Sequence, residues 1–138
     1  MLRAFLAVLA CVFVLAPAVA QDVQPKNPEI EAVIGGQIEA FQADDFARAF
    51  DFASPVIRRM FITPENFGQM VQRGYPMVWR PGSVSFLDLA EIGGALWQRV
   101  EIIDQAGTRH YLGYKMEPGA DGWKIAGVQF LPAPDVSV

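Results

Sequence analysis

The sequence predicts an α+β domain, with helices first and an antiparallel meander of strands after them. Three observations carry that reading. The first half repeats one helix-start signal three times, at Asn27-Pro28-Glu29, Ser54-Pro55 and Thr63-Pro64-Glu65. Each pairs a side-chain cap with a proline, whose missing N–H does no harm in the first turn. The second half is strand-like and is punctuated by turn residues at Gly93-Gly94, Asp104 to Gly107 and Pro118 to Gly122. In its last strand the apolar alternation slips by one residue, so that Trp123 and Ile125 are odd but Val128 and Phe130 even. Such a slip at Ala126 and Gly127 reads as a β-bulge, which bends a strand.

The chain opens with Arg3, the apolar run Ala4 to Ala16, Pro17 and the small residues Ala18, Val19 and Ala20. That pattern predicts a secretory signal peptide over 1–20, cleaved after Ala20, and a periplasmic or secreted protein with no membrane attachment after cleavage. The apolar run falls short of the roughly 18 residues a membrane span needs. Cys11 follows Val8-Leu9-Ala10, a loose likeness to a lipoprotein box. Leu9 stands where a small residue is preferred and the apolar run continues past the cysteine, so Cys11 reads as hydrophobic filler. Beyond Ala20 there remain 118 residues with no cysteine, hence no disulfide. Ten basic residues against 15 acidic ones give that segment a formal charge of −5. A mildly acidic chain without basic clusters argues against nucleic acid and anionic membrane as partners.

Residues 21–27 read as a linker, 28–131 as one domain and 132–138 as a tail. The first helix is expected from Pro28 to about Ala43, with Ile30, Val33, Ile34, Ile38 and Phe41 as its apolar stripe. Gly35 and Gly36 inside it imply close approach of another backbone, since each costs about 1 kcal/mol relative to alanine. Asp44 is the expected cap of a second helix ending at Ala53. A short third helix follows Ser54-Pro55, and a fourth follows Thr63-Pro64 and ends at Gly74. From Val78 onward the chain reads as extended, with strands expected near 83–92, 95–104, 108–117 and 122–131. Alternation places His110, Leu112, Tyr114 and Met116 on one face of the third strand.

Helices followed by a curved antiparallel meander ending in DGWKIAGVQFL resemble the NTF2-like superfamily of α+β cone folds. The segments SPVIRRMF, TPENFGQMVQRGYPMVWRP and DGWKIAGVQFL together resemble DUF4864, a family of exported bacterial proteins classed as a domain of unknown function within that superfamily. The likeness runs from about residue 28 to 131. It implies an NTF2-like cone, N-terminal helices packed on a curved antiparallel sheet of about four strands, and it implies no activity. Steroid isomerases and dehydratases of the superfamily work with an acidic, histidine or tyrosine side chain inside the cone, and outer sheet faces in it commonly form dimers.

Direct chemical motifs are missing from the sequence. It has no glycine-rich phosphate loop, no G-x-S-x-G, no H-E-x-x-H and no cysteine pair. One histidine is too few for an ordinary transition-metal site, no cofactor is implied, and Asp44-Asp45 reads as a helix cap and its solvated neighbour rather than a calcium site. His110 is the candidate acid–base residue, with Asp88 as its candidate partner. A histidine near a strand start is ordinarily a half-exposed side chain, and that is the preferred reading of His110. Tyr75, Trp79, Arg80 and Tyr114 are the candidate ligand contacts. Arg80 either holds a carboxylate or phosphate of an anionic ligand, or forms an internal salt bridge with Tyr75 and Trp79 as core. Trp97, with Arg99 and Ile103, marks an outer sheet face suited to a homodimer.

The leading expectation is a non-enzymatic protein that binds a small apolar or anionic ligand, or that dimerises or serves as an accessory. The alternatives are an isomerase, dehydratase or hydrolase using His110, and a structural partner of another envelope protein. Intact mass of the exported protein checks the processing: the expected N-terminus is Gln21, and lipid on Cys11 or a retained 1–20 segment is the contrary result.

Overall fold

A computed structural model describes residues 21–134. The expected signal peptide, residues 1–20, and residues 135–138 of the expected tail lie outside the described residues. Each proline-first start read from the sequence begins a helix. Helix α1 spans Pro28–Gln42, and Asn27 Oδ1 accepts from the Glu29 and Ile30 amides at 3.0 and 3.3 Å. Helix α3 spans Pro55–Phe61 after Ser54, and α4 spans Pro64–Gly74, where Thr63 Oγ1 accepts from the Asn66 amide at 3.1 Å.

The second helix corrects the sequence reading by one residue. Helix α2 spans Phe46–Asp51 and its cap is Asp45, whose Oδ1 accepts from the Arg48 amide at 3.1 Å. Asp44 instead takes a left-handed backbone, φ 53°, which a short polar residue tolerates, and its carboxylate turns toward another element. A further difference follows Gly74. Pro76 restarts a single helical turn, α5 over Pro76–Trp79, where extended chain was expected from Val78. Its Met77 and Val78 are buried, so the turn contributes to the core.

The sheet has five strands in the order β1-β2-β3-β4-β5, all neighbours antiparallel. They are β1 Asp22–Gln24, β2 Pro81–Ile92, β3 Ala95–Asp104, β4 Arg109–Gly119 and β5 Gly122–Leu131. The expected linker thus contains an edge strand, since Asp22, Val23 and Gln24 pair with Glu91, Ala90 and Leu89. Nothing in its polar composition announces a strand; the free edge of β2 recruits it.

The bulge in the last strand stands where the phase slip put it. Gly127 faces Lys115 while Ile125 faces Met116, leaving Ala126 unpaired. A second bulge, unforeseen, lies in β2, where Leu87 and Asp88 together oppose Arg99. The buried Gln98 amide repairs it, donating to the Leu87 carbonyl at 3.0 Å and the Arg99 carbonyl at 2.9 Å. A further register shift leaves Gly82 unpaired near the start of β2, and such bulges bend a sheet, one face of which the helices cover.

Helix and sheet share one core. Ile30, Ile34, Ile38 and Phe41 of α1 meet Leu89, Val100, Ile102, Leu112, Tyr114 and Ile125 of the sheet, all nearly inaccessible to solvent. Two helical glycines seat aromatic rings, not the neighbouring backbone anticipated from Gly35 and Gly36. A Cβ at Gly36 would lie 2.8 Å from Phe52 Cζ, and one at Gly68 2.6 Å from Phe46 Cγ. These notches let Phe52, just after α2, lock against α1 and Phe46, the first residue of α2, lock against α4. Gly68→Ala gains helix propensity of about 1 kcal/mol but overpacks the Phe46 ring, so a net loss of about 1 to 2 kcal/mol is expected in urea unfolding.

Candidate functional site

Bending the sheet leaves a hollow that the side chains do not fill. A cavity of about 250 Å³ lies between the helices and the β4–β5 end of the sheet. Its walls are Phe41 of α1, Ile57, Met60 and Phe61 of α3, Phe67, Met70 and Val71 of α4, and Ile125 and Val128 of β5. None of its lining residues is charged.

Helix α3 forms the roof and is held lightly. It has no fully buried residue, and its Val56 and Met60 are exposed. The turn that ends it is strained: Ile62 has φ 73° and ψ −50°, with the Thr63 amide donating to the Phe61 carbonyl at 2.8 Å. This is the uncommon form of γ-turn, in a conformation that β-branched residues rarely adopt. The Ile62 side chain is 77% exposed, so no packing of its own holds it there.

Tyr75 closes one side of the mouth. Placed by the junction of α4 and α5, its ring stacks on Phe130 with centroids 5.0 Å apart and planes at 10°. Its hydroxyl donates to the Val128 carbonyl at 3.3 Å, while Phe130 remains about half exposed.

Tyr114 lies at the floor, in the middle of β4 between Gln98 and Val128. It is completely buried, and its hydroxyl has no hydrogen-bond partner among the described residues. Burial raises its pKa strongly and the neighbouring Tyr75 adds to the rise, so the phenol stays protonated at physiological pH. Gln37, the other polar lining side chain near the floor, is already engaged: Nε2 donates to the Ala49 carbonyl at 3.1 Å.

The remaining candidate residues lie elsewhere. Arg80 is not at the cavity mouth. One guanidinium nitrogen spans both oxygens of Asp44 at 2.9 and 3.0 Å, and the other donates to the Phe41 carbonyl at 2.8 Å. The same guanidinium lies over the Trp79 ring, 4.0 Å from its centroid, and the Trp79 indole N–H donates to Asp44 at 2.9 Å. Together these side chains fasten the end of α1 to α5. Asp44 is held below the usual carboxylate range by the hydrogen bond from Trp79 and then by that from Arg80.

His110 sits near the β3–β4 turn, where its Nε2 lies 2.9 Å from Asp104 Oδ2. The other oxygen of Asp104 accepts from the Ala106 and Thr108 amides at 3.0 and 2.9 Å, so the pair braces the hairpin. Asp104 is lowered by the His110 hydrogen bond first and the Thr108 amide second. Asp88 is not the partner of His110. The bulge in β2 turns it to the outer face, 3.8 Å from Arg99. Trp97 is half-buried on that outer face, where a Cβ at Gly113 would come within 3.3 Å of its ring. Among the described residues there is no group of histidine and acidic side chains able to hold a metal, and no helix long and apolar enough to cross a membrane.

Of the four ligand contacts expected from sequence, the structure brings Tyr75 and Tyr114 into one cavity and places Trp79 and Arg80 outside it. The ligand contacts expected from sequence did not include Ile57, Met60 and Phe61 of α3, although PVIRRMFI carries more apolar side chains than a short helix can turn inward.

The molecule is thus an α+β protein with helices on one face of an open antiparallel sheet and an apolar cavity between the layers. It belongs to the DUF4864 family, a domain of unknown function, whose model matches residues 23–138. No curated protein and no solved structure matches it.

The Asp44 cluster generates a pH expectation. The folded pKa of Asp44 lies below that of an ordinary aspartate, so its stabilisation is present above the ordinary value and is lost as pH falls through the folded one. Asp44→Asn is expected to lower the urea midpoint at neutral pH and flatten the acid limb of stability. Arg80→Ala is expected to lower the midpoint while leaving occupancy of the cavity unchanged.

Proposed function

We propose that this is an exported binding protein of the NTF2-like type that holds a small apolar molecule in its interlayer cavity and does not turn it over. The observation that carries the proposal is the unfilled, uncharged hollow beneath α3, with exposed Met60 in its wall and exposed Phe130 stacked on the lining Tyr75. A concave, mostly apolar pocket with few polar groups is the usual form of a small-molecule site. Exposed apolar side chains beside it fit an entrance rather than ordinary solvated surface. The helices that precede the long meander and the bulges within it support the NTF2-like placement, and the sequence of residues 1–20 supports export.

Binding is favoured over catalysis by the placement of the titratable groups. His110 and Asp104 brace a hairpin outside the cavity, and the two phenols on its wall are the titratable side chains that line it. The lack of a cation in the lining favours an apolar ligand over an anionic one, because an anion moved there from water would lose its solvation without a counter-charge.

Fluorescence of N-phenyl-1-naphthylamine tests the proposal. Saturable enhancement is expected, and Met70→Trp, which fills the cavity from α4, should abolish it while circular dichroism stays native. Enhancement that does not saturate, or that survives in the folded variant, would sink the cavity as the binding site.

A further inference from the structure

We infer that the cavity selects a neutral ligand bearing a hydrogen-bond acceptor, of the ketone, ester or ether class, and that the Tyr114 hydroxyl donates to that acceptor at the cavity floor. The inference rests on the cavity being a ligand site and specifies the chemistry of its occupant.

The Tyr114 side chain lines the cavity, is completely buried, and has no partner for its hydroxyl among the described residues. Native proteins seldom leave such a group unpaired, and those that do commonly reserve it for a ligand or a bound water. The neighbouring polar groups have other commitments. Tyr75 donates to the Val128 carbonyl, and the Gln37 amide donates to the Ala49 carbonyl. The other buried amide facing this side of the sheet, Gln98, is consumed by the β2 bulge. Gln98 is paired with Tyr114 across the β3–β4 ladder, so adjacent buried polar residues differ in that one is satisfied and the other is not.

The charge of the ligand follows from the walls. With no cation among the lining residues, a carboxylate or phosphate would have no counter-charge, and Arg80 is occupied by Asp44 and Phe41. With no carboxylate there either, an ammonium group fares no better. A neutral acceptor loses less solvation and receives the phenol proton in exchange. At about 250 Å³ the cavity lies just below the usual range for small-molecule sites, which suits a compact cyclic molecule over a long chain.

Isothermal titration with 1-tetralone, tetralin and 1-naphthoate tests this on the wild-type protein and on Tyr114→Phe. The expected result is that both neutral probes bind the wild type, that naphthoate binds more weakly than tetralone, and that the preference for tetralone over tetralin falls by about 10-fold in Tyr114→Phe, the worth of one buried hydrogen bond. The unliganded variant is expected to melt at the same temperature or higher, because it loses an unpaired polar group. An unchanged tetralone-to-tetralin ratio overturns the role of Tyr114 while leaving the apolar site standing. A lower melting temperature for unliganded Tyr114→Phe also overturns it, since the hydroxyl would then be satisfied already, by water. Tighter binding of naphthoate overturns the neutral class, and failure of every probe overturns this inference together with the cavity assignment.

Discussion

The unpaired residue at Ala126 is the constraint on which the rest of the structure depends. Without it, Ile125 and Val128 would fall on opposite faces of β5, and one of them would leave the core. With it, both face the helices and the strand bends. The residue before the bulge then fastens the two layers together. Ile125 donates its amide to the Phe52 carbonyl at 2.9 Å and accepts from the Ser54 amide at 2.8 Å. That exchange satisfies part of a sheet edge with the segment between α2 and α3, and Lys124 adds a bond to the Asp51 carbonyl at 2.8 Å. The start of α3, and with it the roof of the cavity, is therefore positioned by one backbone contact with β5.

Strong fastening at that end contrasts with weak fastening along α3 itself. Helices α1 and α4 are anchored by ring-into-glycine contacts with Phe52 and Phe46, and α1 is tied to α5 by the Asp44, Trp79 and Arg80 cluster. Helix α3 has half-buried Ile57 and Phe61 below it, an exposed apolar side above, and a strained turn at Ile62. A non-glycine residue at positive φ costs about 1 to 3 kcal/mol and persists only where its surroundings impose it. Here the short span from Phe61 to the Thr63 cap of α4 imposes it, and the helix with no buried residue is also one that covers the hollow.

Polar groups in the interior divide in the same way. Gln98 and Ser54 are buried and spent on the scaffold, one closing a bulge and the other accepting from the Ile57 amide to cap α3. Asp104 and His110 are spent on a hairpin. Tyr114 is the buried side-chain group left without a partner among the described residues, and it belongs to the wall of the interlayer cavity. Histidine chemistry drew attention in the sequence because an isolated titratable residue is conspicuous. Tyrosine was less conspicuous, being usual in a strand core.

Local signals in the sequence determined the helix starts, the hairpins and the β5 bulge, because a cap-plus-proline, a Gly-Gly turn and a slip in alternation each act within a few residues. The DUF4864 likeness was legible for the same reason, in contiguous segments. Tertiary structure alone decided what depended on distant partners. Asp44 gave up the cap of α2 to Asp45 because Arg80 and Trp79, more than thirty residues away, hold its carboxylate. The segment Asp22–Gln24 became a strand because β2 offered an unpaired edge, and Asp88 turned away from His110 because a bulge, invisible in a strand apolar on both faces, reversed its side. The cavity belongs to this second group: a space is made by the elements that fail to meet, and no single stretch of sequence encodes it.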